Sequence, residues 1–230
     1  MVRIALAFDG REHSGAALRW VVDRATTVTD PVSVTLHVTG LPWFHHRTDI
    51  DLAAAASDLA DAVGDVDVST EVRRDAPLAA AEDADLVVLG VPAGGGRGSG
   101  AGLVRRLIRR APVPVCLVPG GWIRIDGAVA LAGGDALPDD ARAFARREAE
   151  RSGLPLGSAR LQDRRILPVP DGPGAPPLML LVVPTEFLGG FEPAFGDALV
   201  RDALRALRCP VCIVPSAPAS TGAPAAADAR

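Results

Sequence analysis

Two pairs of short apolar runs in this chain nearly repeat one another. LVVLG at 86–90 and VPVCLVP at 113–119 are echoed by LLVVP at 180–184 and CPVCIVP at 209–215. Each pair encloses a glycine-bearing stretch followed by an amphipathic run with arginines. Self-similarity of this kind implies a duplicated structural unit. The unit reads strand, glycine loop, helix, strand, which is how α/β nucleotide-binding folds build a ligand site.

The first unit is the more complete. Val2–Phe8 reads as a strand that stops at the turn signal Asp9-Gly10. Ser14 or His13 opens a helix in which Ala17, Leu18, Val21 and Val22 recur at helical spacing. Val32–Val38 is a β-branched second strand, and Thr39–Thr48 a loop carrying Trp43, Phe44, His45 and His46. Leu52–Val63 reads as an alanine-rich helix, Val66–Val72 as a third strand and Pro77–Ala81 as a short helix. Leu86–Leu89 is a continuous apolar strand, as expected where helices cover both faces of a parallel sheet. The glycine loop runs Gly90–Gly102. Leu103–Arg110 is a helix with Leu103, Val104 and Leu107 inward, and Pro114–Val118 a fifth strand.

The pattern then restarts. Val129–Ala132 matches Ile4–Ala7 at an offset of 125 residues, with Pro138–Arg151 as the matching helix. The fourth strands are offset by only 94, so the second unit has lost 31 residues in between. That is about one helix with its connections, and the counterpart of Leu52–Val63 is the candidate. Pro168–Pro177 reads as loop. These boundaries predict one domain over 1–120, a shortened, degenerate one over 122–216 and a disordered tail over 217–230.

Composition excludes several alternatives. A net charge of −4 and an apolar content of 48% describe a globular chain, not a general nucleic-acid binder. There is no lysine, hence none for Schiff-base or P-loop chemistry. The opening MVRIALAFDG reads as a strand with no leader, no apolar run is long enough for a membrane span, and three cysteines fit a reducing compartment. The expected location is the cytoplasm, with neither membrane nor nucleic acid as partner.

The strongest local signal is GVPAGGGRGSGAG at 90–102, between a buried strand and a helix. Glycines allow close backbone approach to a ligand, and N–H groups at a helix start attract phosphate. A plain connecting loop accounts for the same glycines equally well. The order of strand, Asp9-Gly10, Ser14, helix, the LHV strand end at 36–38, the loop from Gly90, and RRAPVPVCLVP at 109–119 resembles the universal stress protein family. The resemblance covers 2–119, with 127–215 similar to a shortened second copy.

That resemblance implies two open, parallel-sheet domains in tandem, Rossmann-like and close to the adenine nucleotide α-hydrolase architecture, each a three-layer α/β/α stack. It implies binding of ATP or a related nucleotide, with magnesium alongside, and a role in stress response without catalysis. Asp9, followed by Gly10, matches the strand-one aspartate facing adenosine. Val38 matches the strand-two position whose backbone meets adenine. Gly90 matches the first loop glycine, and Gly94 stands one residue from the second. The family's Gly-[ST] pair is not in register: spacing leads to Val104-Arg105 or Ala101-Gly102, while Gly98-Ser99 has the chemistry but sits early. Arg97 is the candidate phosphate cation.

The second copy departs further. Gly134 stands for the aspartate, Pro184 for the first glycine, and Gly196-Asp197 would set a carboxylate against phosphate. Family members dimerise through their fifth strands, so the resemblance also implies an internal pseudo-dimer with Cys116 and Cys212 near its axis, and a further homodimer. The other reading is a nucleotide-free scaffold acting through dimerisation or partner binding. Cys209 and Cys212 form a CxxC that enters a strand rather than opening a helix, unlike a redox motif. His45-His46 lack metal-site spacing, and the Arg105, Arg106, Arg109, Arg110 cluster reads as a solvated helix face. No nucleophile-elbow or triad spacing supports hydrolysis.

Overall fold

In the computed structural model, residues 1–27, 32–38, 53–54, 56–61, 67–71, 81–92, 101–133, 137–162, 165–169, 176–189, 200 and 202–216 are described. Ten strands form one sheet: β1 (Val2–Phe8), β2 (Val32–Val38), β3 (Asp67–Glu71), β4 (Leu86–Val91), β5 (Val115–Pro119), β6 (Ala128–Ala132), β7 (Leu156–Gln162), β8 (Arg165–Val169), β9 (Leu178–Pro184) and β10 (Val211–Val214). Their order is β3-β2-β1-β4-β5-β10-β9-β6-β7-β8. Each half repeats one arrangement, with β6 to β10 in the places of β1 to β5. The halves meet where β5 and β10 pair antiparallel, with Cys212 opposite Cys116. The α/β class read from the sequence is the one observed, and the sheets of the two units are continuous.

Four helices have defined bounds: α1 (Glu12–Thr27), α2 (Ala101–Arg110), α3 (Asp139–Ser152) and α4 (Thr185–Gly189). Further helical residues lie at 53–54, 56–61, 81–83, 200 and 202–207. Strands β4, β5, β6, β9 and β10 are almost wholly apolar because helices cover both of their sides. On one side, α1 and α3 supply Val21, Trp20, Phe144 and Ala145 to a core with Leu6, Val88, Leu131 and Val182. On the other, Leu107 of α2 joins Ala203, Leu204 and Leu188 over Val87, Leu117, Leu181 and Ile213.

The missing residues of the second half explain its one topological departure. Only 163–164 separate β7 from β8, far fewer than the dozen a parallel crossover needs. Strand β8 therefore returns as a hairpin, antiparallel to β7, whereas β3 is parallel to β2. This corrects the loop expected over Pro168–Pro177: Pro168 pairs with Ala159, and Val169 closes the strand. Proline is tolerated because β8 is the sheet edge, where an absent N–H breaks no ladder. Gly90, expected to begin the glycine loop, lies inside β4.

The CxxC is divided by the sheet. Cys212 lies in the core beneath α1 and α3 with Cys116, whereas Cys209 lies in the opposite core. All three cysteines are buried and free. Burial pushes the Cys209 thiol up to about 12 and raises Cys212 well above its ordinary value. Thiolate is the reactive form, so iodoacetamide at pH 8 is expected to leave both unmodified in the native protein and to alkylate them in urea. Peptide mass mapping checks this; native alkylation of either thiol would contradict their placement.

Candidate functional site

The switch point of the first half falls between β1 and β4: β2 and β3 extend one way, β5 the other. Ligands of open α/β sheets bind outside the strands' carboxyl ends at that place. Register aligns those ends. Phe8 pairs with Val38, and the β1–β4 pairing that sets Ala7 against Leu89 brings Gly90 to the next level. Asp9 thus follows β1 at the carboxyl edge of the sheet, beside the Val38 backbone and the end of β4.

The turn out of β1 is built by Asp9-Gly10. Gly10 has φ 71°, a left-handed conformation that glycine adopts without a steric penalty. Asp9 Oδ1 accepts a hydrogen bond from the Arg11 N–H at 3.1 Å, the local bond by which aspartate stabilises such turns. The first turn of α1 then closes as Ser14 Oγ donates to the Arg11 carbonyl at 2.8 Å. Asp9 Oδ2 lies 3.3 Å from His13 Nε2 and 3.6 Å from Arg11 Nε. Burial would raise the Asp9 carboxyl, but the bonds from His13 and the Arg11 N–H, with the attraction of His13, outweigh it. The result is a carboxyl held below its usual value, charged at neutral pH.

Gly90 serves this arrangement by its missing side chain. A Cβ there would lie 1.9 Å from the His13 carbonyl oxygen and 2.7 Å from the Ser14 nitrogen. Strand β4 and the start of α1 are therefore in backbone contact beside the Asp9 turn. In the sequence Gly90 stands out as a loop glycine and His13 only as a helix start. The His13 signal was present as i, i+4 spacing from Asp9, but that spacing is also ordinary surface pairing. Of the predicted site residues, Asp9, Gly10, the Val38 backbone and Gly90 come together. Gly94, Arg97, Gly98 and Ser99 lie outside the described residues, as do Trp43, Phe44, His45 and His46. Helix α2 begins at Ala101, directly after that segment. Among the described residues no cluster of three or more His, Cys, Asp or Glu could hold a metal.

The equivalent place in the second half is built differently. Strand β9 ends at Pro184 and α4 starts at Thr185 with no intervening loop. Gly133, after β6, has φ 129°, and a Cβ there would meet Leu137 Cδ2 at 2.3 Å. An apolar side chain thus covers the β6 end at the level where the first half has its aspartate turn. Gly134, Asp135, Gly196 and Asp197 lie outside the described residues, as does 217–230. No described helix is long and apolar enough to cross a membrane.

No protein-family model matches the sequence, and no curated protein matches it. Solved structures do. A universal stress protein from Archaeoglobus fulgidus is 12% identical, with a TM-score of 0.59 over 93% of this chain and 96% of that one. A putative universal stress protein from Pseudomonas aeruginosa is 15% identical, with a TM-score of 0.56 over 93% and 92%. The cytoplasmic domain of a prokaryotic cation chloride cotransporter is 11% identical, with a TM-score of 0.58 over 94% and 95%. The protein has the fold of these chains along nearly its whole length.

Proposed function

We propose that the protein is a tandem universal stress protein that binds one adenine nucleotide, ATP or a close relative, in the crevice of its first half. The observation that carries this reading is the level row of Val38, Phe8 and Gly90 at the switch point, with the Asp9 carboxylate at its mouth. Asp9 would accept from the adenosine end, the Val38 backbone would meet adenine, and Gly94, Arg97, Gly98 and Ser99 would hold phosphates. Any magnesium would arrive with the phosphates. In this reading 1–120 and 122–216 are two domains, paired internally through β5 and β10 as a pseudo-dimer that can itself dimerise. The protein works by binding in a stress response, in the cytoplasm, not by turnover.

Equilibrium dialysis with labelled ATP tests this. One saturable site per chain is expected. Asp9→Asn, which keeps an oxygen for the turn but removes the charge, is expected to weaken it about tenfold, the size of one charged hydrogen bond. No saturable binding at millimolar ATP would sink the reading. A nucleotide-free scaffold would then remain, favoured by one observation: both Asp9 oxygens already have partners, Arg11 N–H and His13.

A further inference from the structure

We propose that Cys116 and Cys212 are a modification site: under oxidising conditions they join in a disulfide that ties the two halves together. The antiparallel pairing of β5 with β10 sets the two residues directly opposite each other. Their neighbours Val115, Leu117, Val211 and Ile213 lie in one core, whereas both cysteines lie in the other. The two side chains thus meet on one face of the seam, where Cys116 is in hydrogen-bonding contact with the Cys212 thiol. Directly opposite residues of antiparallel strands have Cα atoms about 4.5 or 5.5 Å apart. Either separation falls within the roughly 4.4–6.8 Å that a disulfide spans.

The fold thereby reverses what the sequence suggests. Cys209 and Cys212 are the near pair in the chain, but Cys209 is buried in the opposite core. Closing the CxxC would require β10 to leave the sheet. The repeat, by contrast, sets a cysteine in each copy at the position that meets its counterpart across the seam.

A low-molecular-weight disulfide supplies the oxidation. One cysteine, as thiolate, attacks it and releases a thiol; the other then attacks the mixed disulfide and releases the second. The chain gives up two protons and two electrons, and the reagent leaves as two thiols. Burial, then contact with Cys116, holds the Cys212 thiol above its ordinary value; Glu148 adds to this and Arg24 opposes it. In the closed fold the pair is therefore unreactive, and exchange waits for the seam to open. Minutes of alkylation leave it untouched, whereas hours of exchange do not. The β5–β10 ladder suits such opening, with three residue pairs where every other strand pairing has at least four. Once formed, the bond closes a loop of roughly a hundred residues and holds β5 against β10.

Equilibrating the native protein for hours in a buffer of oxidised and reduced glutathione tests the proposal. Tryptic peptides 111–124 and 209–230 are expected to be joined in one species, with the loss of two thiols per chain. Cys209→Ala should leave the link in place, and Cys212→Ala should abolish it. The linked protein should melt about 10 °C higher than the reduced one, as suits so long a loop. The same link should form on refolding from urea in that buffer, where the short CxxC spacing favours the other pair. A Cys209–Cys212 bond, glutathione adducts without a link, unchanged thiols after both treatments, or a linked protein no more stable than the reduced one would each overturn it.

Discussion

Replacing Glu148 with alanine is expected to lower the unfolding free energy by about 3–5 kcal/mol, the range seen when one partner of a buried ion pair is removed. Glu148 on α3 and Arg24 on α1 join the two halves beneath solvent, with Arg24 Nη2 2.6 Å from Oε1 and Nε 3.1 Å from Oε2. Their side chains are 4% and 7% exposed. Arg151 adds a third contact to the same carboxylate at 3.2 Å. Arg24 also lies 6.0 Å from the Trp20 ring, and its Nη1 has no hydrogen-bond partner among the described residues. Without Glu148 the guanidinium is left buried and uncompensated above Cys116 and Cys212. Arg24→Met combined with Glu148→Leu removes both charges and should recover most of the loss, since apolar replacements of buried pairs are often neutral. Urea unfolding with unchanged m reads both effects. A loss below about 1 kcal/mol for Glu148→Ala, the range of surface pairs, would show that the pair is solvated.

Gly90→Ala is expected to cost about 2–3 kcal/mol, near the top of the range for forcing one extra carbon into a packed site. Its Cβ would stand 1.9 Å from a backbone oxygen of α1, which no rotamer change can relieve. Either the first turn of α1 moves off β4 or β4 bends. Both displace Asp9 and His13, so nucleotide binding should fall with stability. Gly15→Ala is the matched control within α1. Its nearest neighbour is Arg19 Nη1 at 3.8 Å, the end of a flexible side chain. Inside a helix the same change is expected to add roughly 0.5–1 kcal/mol. Thermal unfolding of the two variants should therefore shift in opposite directions. Equal shifts would mean that strand β4 and α1 are not in backbone contact.

The repeat made much of the architecture legible. VPVCLVP and CPVCIVP could be aligned by eye, and the structure pairs their cysteines across the seam. The shortened spacing between Val129 and Leu180 showed that a crossover was gone. It could not show that β8 would then reverse, because length reveals a missing helix but not the direction of the strand left behind. Pro168 looked like loop because proline breaks interior strands, and only its place at the edge makes it acceptable. At the site, Asp9-Gly10 was legible as a turn because both residue types serve it directly. Gly90 was legible as a glycine that mattered, but not why: the His13 carbonyl that excludes a side chain is 77 positions away in sequence. The asymmetry of the halves was legible in Pro184. Leu137 over Gly133 was not, because a leucine before a helix reads as core.

In the proposed function, one half of the duplicated sheet holds an adenine nucleotide and the other does not. Native mass spectrometry of the purified protein tests it most directly. The expected result is one adenine nucleotide per chain, with about tenfold more ATP needed for the same occupancy in Asp9→Asn, and no second addition as ATP is raised. Two nucleotides per chain, or none at saturating ATP, would contradict it.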